Sequence, residues 1–570
     1  MDLTTKNNMN VSEYIVDFLA SKGVTDAFGI PGGVILDLLY AFDNNKKITP
    51  HLSYHEQCAA FEAGSYAQAN GTIGVAYATR GPGIMNMVTS IADAYCDSVP
   101  LMIFTAHGSV NTGNIRVMDN QEFDLEPIFS SITKYFVRID SLDEVGPRLN
   151  EAFIQASTGR KGPVVIDVSS KLWKMEIDPY NVISEEKDAS FEADDIIQII
   201  SENLKNSTRP IILAGDGLKQ SDTVRELVQF AENNRIPVLS SRYAEDLMPL
   251  SELYYGYIGS HGIRCANFIL SKADLIIGLG NRMAFPVNSK SFAPITKKSK
   301  IIRIEIDESE FERDIPNVIN CVADLNNLMP KLCGQFIRYN NSNEWIEVCD
   351  ELKNSLKGCD ISEPVAVISD IMQLSDPQSV ITSDVGNNEF WLSAAYFNAH
   401  IGNKVIYSKT FGALGCSVAK AIGAFYASRK PVLCFTGDQG LQLNVQELQF
   451  ISSNCLPVTI VVINNLSSGM IKCGEKNKNY QKFLHTTQDS GYAAPNIRKI
   501  SQAYDINYTL YNEIADKNII KSILSSAKPS IIEAVISEDN DVFPILKIGD
   551  ECQKLYPYID NAIFERLNNL

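Results

Sequence analysis

Residues 437–465 read GDQGLQLNVQELQFISSNCLPVTIVVINN. One apolar run ends here in Gly437-Asp438 and the next in Asn464-Asn465, with a helix-like crossover around residues 443–454 between them. Open α/β sheets bind ligands beyond the carboxyl ends of their strands, at the point where strand order reverses. A single crossover sets Asp438 and Asn465 side by side at such an edge. A carboxylate and a carboxamide oxygen are hard ligands suited to Mg²⁺, which keeps some waters and takes further ligands from substrate phosphates. Gly437 lets backbone come close, and a helix N-terminus after it favours an anion. The pattern points to a Mg²⁺-bridged diphosphate. Asp438 as a plain helix cap and the Asn pair as a plain turn is the other reading, and spacing alone leaves both open.

The surrounding chain supports a large α/β protein. At 570 residues it is too long for one core and divides into about three domains of roughly 150 residues. A net charge of −18, from 50 basic and 68 acidic residues, argues against nucleic acid or an anionic membrane as partner. The first twenty residues alternate polar and apolar at helical spacing, with no signal-peptide core, and no run reaches 18 apolar residues. Twelve scattered cysteines without a CxxC fit reduced thiols better than disulfides or zinc. The expected location is the cytoplasm.

Strands ending in Gly or Pro recur along the chain: VTDAFGIPGG, GVAYATRGPG and VPLMIFTAHG, with GPVVIDVSS closing the block, then RPIILAGDG and ADLIIGLGNR, then QSVITSDVG, KPVLCFTGD and PSIIEAVIS. This is the rhythm of βαβ units, hence mostly parallel sheets covered by helices. The polar stretch 178–192 reads as a linker. The predicted fold class is α/β with three doubly wound parallel-sheet domains at 1–177, 190–340 and 360–545, and a C-terminal tail at 546–570.

Several segments together carry a resemblance. IPGGVILDLLYAF (30–42), YHEQCAAFEAGSYAQANG (54–71), ATRGPGIMNMVTSIADAYCDSVPLMIFTA (78–106), SDVGNNEFW (383–391) and INNLSSGM (463–470) resemble thiamine diphosphate (ThDP) enzymes, in their acetolactate synthase-like branch of large catalytic subunits. The match runs over nearly the whole chain, in the order pyrimidine, middle and diphosphate domain. It implies that Asp438, Asn465 and the backbone of Ser467 hold Mg²⁺ on the diphosphate. Gly437, Gln439, Asn387, Asn388, Gly469 and Met470 match positions around that group, and Pro31, Gly32, Gly412 and Leu414 complete the cofactor site. Leu414 matches the bulky residue that supports the bent cofactor.

ThDP supplies a carbanion centre, and the protein supplies binding, orientation and electrostatics. By resemblance Glu56 is the carboxylate that hydrogen-bonds the aminopyrimidine ring and promotes its imino form. It reads as a partly buried acid just past a strand end, whereas Glu62 on the same helix reads as solvated. Gln121 and Lys134 match positions near the substrates. In the middle domain Gly215 and Gly217 of RPIILAGDG, Gly259, His261 and Gly262 of GSHG, and Arg282 resemble the segments that hold a structural FAD. Asp216 stands where that family has a small Gly, so a nucleotide fold without ligand is the alternative. Because Glu56 and Asp438 lie on different domains, the resemblance places each site between subunits of a homodimer or homotetramer.

The chain departs from the biosynthetic pattern on the acceptor side. The Arg that selects a second 2-oxo acid is replaced by Pro286, the large Trp by Gly474, and the Phe before Gln121 by Asn120. A carboxylate clamp and an apolar wall are both missing, which argues for a bulkier, more polar acceptor. The expected activity is ThDP- and Mg²⁺-dependent decarboxylation of a 2-oxo acid such as pyruvate. The two-carbon unit then passes to a carbonyl acceptor, of which a keto-sugar nucleotide is one example. Ordinary acetolactate synthesis and a non-catalytic scaffold or regulatory subunit of the same fold are the alternatives.

Overall fold

The computed structural model describes residues 9–108, 120–177, 193–284, 290, 292–513 and 516–570. The linker 178–192 and Pro286 lie outside these. The apolar runs become the strands of three six-stranded, all-parallel sheets. In the first, β1 (Asp26–Gly29), β2 (Thr49–Leu52), β3 (Gly74–Tyr77), β4 (Leu101–His107), β5 (Tyr135–Ile139) and β6 (Pro163–Ser169) stand in the order β2-β1-β3-β4-β6-β5. Every residue of β4 and β6 is buried, and they pair from Leu101↔Pro163 to His107↔Ser169. Parallel strands covered on both faces read as continuous apolar runs for that reason.

The middle sheet holds β7 (Pro210–Ala214), β8 (Val238–Ser240), β9 (Tyr254–Tyr257), β10 (Leu275–Leu279), β11 (Lys300–Glu305) and β12 (Val318–Val322), ordered β9-β8-β7-β10-β11-β12. The third holds β13 (Val380–Ser383), β14 (Val405–Ile406), β15 (Val432–Gly437), β16 (Val458–Asn464), β17 (Asn507–Leu510) and β18 (Ser530–Val535), ordered β14-β13-β15-β16-β18-β17. In each sheet the chain first steps to one side of its opening strand and then returns to the other. The reversal points are β1/β3, β7/β10 and β13/β15.

The first and third sheets belong to one compact unit, residues 1–187, 378–388 and 404–535; the second unit is residues 188–377, 389–403 and 536–570. Within the first, helix α1 (Glu56–Asn70) crosses α2 (Ser417–Ser428). A Cβ on Gly423 would lie 1.9 Å from the Glu62 carbonyl oxygen, so only glycine permits that approach. Beside the crossing, the buried Lys420 ammonium pairs with Asp93 at 2.9 Å and donates to the Tyr407 carbonyl at 2.8 Å. Removing either charge would strand the other in the interior, a loss of about 3–5 kcal/mol.

The C-terminal stretch is not a separate tail. From Ile536 onward it belongs to the second unit, where Arg264 donates to the carbonyls of Leu555 and Pro557 at 2.7 Å each. All twelve cysteines are free thiols. Among the described residues no helix is long and apolar enough to cross a membrane.

Candidate active site

The carboxyl ends of β13 and β15 open the crevice of the third sheet. Asp384, just past β13, is buried and acts as its hub. Its Oδ1 accepts the N–H groups of Val385 and Gly415, both at 2.9 Å, and its Oδ2 accepts the Ser417 hydroxyl at 3.0 Å. Burial pushes its carboxyl upward against these donors. Sequence reading passed over Asp384, yet it pins the loop that carries Gly412 (φ +68°) and the partly exposed Leu414.

Asp438 opens the short helix α3 (Asp438–Leu443) and is 2% exposed. The single crossover expected after it is two helices, α3 and α4 (Glu447–Ser453). They break at Asn444, whose side chain donates to the Gly415 carbonyl at 2.8 Å and accepts the Cys58 thiol at 3.2 Å. Burial pushes the Asp438 carboxyl up to about 6, opposed by a hydrogen bond from Tyr492.

The two asparagines after β16 have different destinations. Asn464 donates to Glu533 at 2.7 Å, while the Asn465 amide stands at Gly469, on the side of the Asn387 amide. A Cβ on Gly469, the first residue of α5 (Gly469–Asn477), would lie 2.5 Å from the Asn465 amide nitrogen and 2.7 Å from that of Asn387. Met470 comes next, 3.9 Å from where a Cβ on Gly386 would stand. A Cβ on Gly437 would meet nothing within 4 Å, and the partly buried Gln439 follows Asp438.

Both polar atoms of the Asn387 amide, the Asn388 Oδ1 and the Ser467 Oγ are buried without a hydrogen-bond partner among the described residues. Each such atom costs about 1–3 kcal/mol when left unpaired, so the group offers a polar ligand or water a favourable place to bind. Asp438, Asn465 and Ser467 fit a divalent cation whose remaining ligands come from phosphate and water. Asn387 and Asn388 fit the phosphate oxygens.

The first sheet assembles the other half. A Cβ on Gly32, in the Pro31-Gly32 turn after β1, would lie 2.3 Å from Thr79 Cβ. One on Gly81 would lie 2.3 Å from the Gln121 carbonyl, and one on Gly83 3.4 Å from Glu56 Oε1. The segment Thr79–Gly83 therefore gathers Gly32, Gln121 and Glu56. Glu56 opens α1 after an extended His55, whose Nδ1 accepts the Gln57 N–H at 3.1 Å. Asn86, which sequence reading also passed over, donates to Glu56 Oε2 at 2.9 Å and orients the carboxylate. Lys134 stands just before β5, at the amino edge of the sheet, and its ammonium donates to the Thr158 carbonyl at 2.9 Å. The chain does not bring Lys134 to Glu56. Nor does any hydrogen bond among the described residues join Glu56 to Asp438.

Glu62 overturns its reading as a solvated residue. It is 0% exposed, accepts the Ser53 hydroxyl at 2.6 Å and faces the equally buried Glu447, which accepts the Tyr54 N–H at 3.1 Å. Burial first and then Glu447 push the Glu62 carboxyl well up; burial pushes Glu447 up to about 7. Two buried carboxyl groups facing one another resist being charged together. The folded pair holds more protons than the unfolded chain above pH ~4.5, so its contribution to stability falls as pH rises through about 7. Glu62→Gln removes the like-charge conflict. Its Tm relative to wild type is expected to rise by a few degrees between pH 5.5 and 8, about 2 kcal/mol, read by thermal melts. A pH-independent difference would show that the pair does not resist being charged together.

In the middle sheet the four glycine amides expected at FAD are committed within the chain. Gly215 donates to the Leu279 carbonyl (3.0 Å), Gly217 to Gly280 (3.1 Å), Gly262 to Gly259 (3.0 Å) and Gly259 to the Asn267 side chain (3.1 Å). His261 Nδ1 meets the Pro544 carbonyl at 3.0 Å, and burial depresses its ring to about 4. The Arg282 carbonyl accepts the Arg303 guanidinium at 2.6 Å. Asp216 adds a carboxylate at the turn where a dinucleotide's diphosphate would approach. The four glycine amides are therefore not open donors for FAD, and a flavin here would rest on other groups of the middle sheet.

Three family models match in succession: the N-terminal TPP binding domain of thiamine pyrophosphate enzymes over residues 9–127, their central domain over 197–332 and their C-terminal TPP binding domain over 384–534. The chain is 32% identical over 550 residues to the acetolactate synthase large subunit of Lactococcus lactis subsp. lactis (strain IL1403), covering 94% of each chain. It is 30% identical to the acetolactate synthase isozyme 1 large subunit of Escherichia coli (strain K12), covering 96% and 97% of the two chains. It is 31% identical to a probable acetolactate synthase large subunit of Methanocaldococcus jannaschii, covering 95% and 94%.

Proposed function

The chain belongs to the thiamine pyrophosphate enzymes, in their acetolactate synthase-like branch, and on that premise we propose that it decarboxylates a 2-oxo acid, pyruvate foremost, and joins the two-carbon unit to a carbonyl acceptor. The observation that carries this is the set of orphaned amide and hydroxyl atoms of Asn387, Asn388 and Ser467, the first of them near Asn465, at the strand ends of the sheet that also carries Asp438. Bound ThDP supplies the carbanion chemistry. The chain's own groups then divide the work. Asp438, Asn465 and the Ser467 carbonyl would hold Mg²⁺, while Asn387 and Asn388 would orient the phosphates. The Glu56 carboxylate, steered by Asn86, would hold the proton exchanged with the aminopyrimidine ring of bound ThDP. Leu414, partly exposed, would support the bound cofactor.

We place the complete site between two copies of the chain, as a homodimer or a pair of dimers. Among the described residues of one chain no hydrogen bond joins Glu56 to Asp438. Phe411, Leu414, Leu443, Ile471 and Leu484, which surround the cradle in sequence, are 38–58% exposed or, for Ile471, 59%. Apolar side chains left open beside a functional crevice call for a partner surface.

On the acceptor side a Cβ on Gly474 would meet nothing within 4 Å. That open space favours an acceptor larger than pyruvate, such as a keto-sugar nucleotide. Acetolactate formation from two pyruvates is the second reading, favoured by the names of the relatives. Incubation with ThDP, Mg²⁺ and pyruvate, with and without a larger carbonyl acceptor, separates them by product mass. The larger acceptor is expected to raise turnover, and Gly474→Trp to suppress it about 10-fold more than acetolactate formation. Efficient, saturable acetolactate synthesis indifferent to any larger acceptor would favour the second reading.

Between a structural FAD in the middle unit and a scaffold without ligand, the four occupied glycine amides favour the scaffold. Protein desalted gently is expected to be colourless and active without added flavin; flavin absorbance that co-purifies in stoichiometric amount would reverse this.

A further inference from the structure

Tyr492 contacts Asp438 from a loop that sequence reading left without a role. Its hydroxyl donates to Asp438 Oδ2 at 2.7 Å. The loop is built rather than draped. Glu475 on α5 accepts the Leu484 N–H at 3.0 Å and the Thr486 hydroxyl at 2.6 Å. The Thr486 carbonyl accepts the Ser468 N–H at 2.9 Å, and Thr487 receives the Tyr492 N–H at 2.9 Å. The same short segment that offers Ser467 to the cation therefore fixes the position of the Tyr492 phenol.

We propose that Tyr492 is a positioning residue that keeps Asp438 a one-oxygen ligand and so gives the site its preference for Mg²⁺ over Ca²⁺. With one lone pair of Oδ2 given to the phenol, Oδ1 is the oxygen freer to face a cation, and two-oxygen coordination is disfavoured. Mg²⁺ demands a near-ideal octahedron with single-oxygen ligands, whereas Ca²⁺ takes six to eight oxygens and readily accepts both from one carboxylate. A partner that fixes a ligating carboxylate typically changes metal affinity 10–100-fold. The inference rests on Asp438 being a metal ligand, as proposed above.

The test uses the full chain and Tyr492→Phe, which deletes one hydroxyl from a partly exposed side chain. ThDP binding is followed by calorimetry while Mg²⁺ alone or Ca²⁺ alone is titrated. Wild type is expected to bind ThDP at lower Mg²⁺ than Ca²⁺. In the variant the half-saturating Mg²⁺ concentration should rise about 10-fold while that of Ca²⁺ moves less than about 2-fold, so the preference collapses. Equal shifts for both ions, or none for either, overturn the role of Tyr492 and leave Asp438 in place. ThDP binding by wild type that ignores both ions would instead remove the metal site itself.

Discussion

Glu56→Gln is expected to bind ThDP as wild type does and to turn over about 10²–10⁴-fold more slowly. The amide matches the carboxylate in shape and can still accept from Asn86, so α1 and the Thr79–Gly83 segment keep their places. What it loses is the negative charge that takes and returns a proton at the pyrimidine. Steady-state rates alongside ThDP titration read the two effects separately. Near-normal turnover at full occupancy would show that some other group does this work.

Asp438→Ala acts at the opposite end of the cofactor. It removes the one charged side chain among the proposed cation ligands, and Mg²⁺-dependent ThDP affinity is expected to fall at least about 100-fold. The fold should stay intact. Tyr492 forfeits one hydrogen bond, about 1 kcal/mol, and burial already disfavours the Asp438 charge. In thermal melts the unliganded variant should match wild type within a few degrees, but the upward shift produced by ThDP with Mg²⁺ should vanish. An unchanged ligand-induced shift would mean that Asp438 only caps its helix.

Interior strands and the ends that carry Asp438 and Asn465 were legible because burial on both faces leaves an uninterrupted apolar run, and because Gly-Asp and Asn-Asn stop it abruptly. Edge strands were not. Thr49–Leu52, Val318–Val322 and Asn507–Leu510 lie at sheet margins, are partly exposed and carry no such run. Glu62 was misread for a different reason. Helix α1 is covered nearly all round, so it has no polar face against which a buried acid stands out, and its partner Glu447 lies in another sheet's domain. Asp384, Asn86 and Tyr492 were missed because each acts by holding other groups of the chain in place and leaves no spacing pattern. Asn464 and Asn465 show the same limit at finer scale: the pair was visible, but which of them is taken by Glu533 across the sheet was not.

The most direct test of the account is carbon dioxide release from pyruvate by the purified chain, measured with ThDP and Mg²⁺ supplied together, singly and not at all after removal by chelation. Release that requires both, and that is lost on omitting either, is the predicted result. Absence of release with both present, while the protein is folded and binds ThDP, would contradict the assignment of the Asp438–Asn465 crevice and Glu56 to this chemistry.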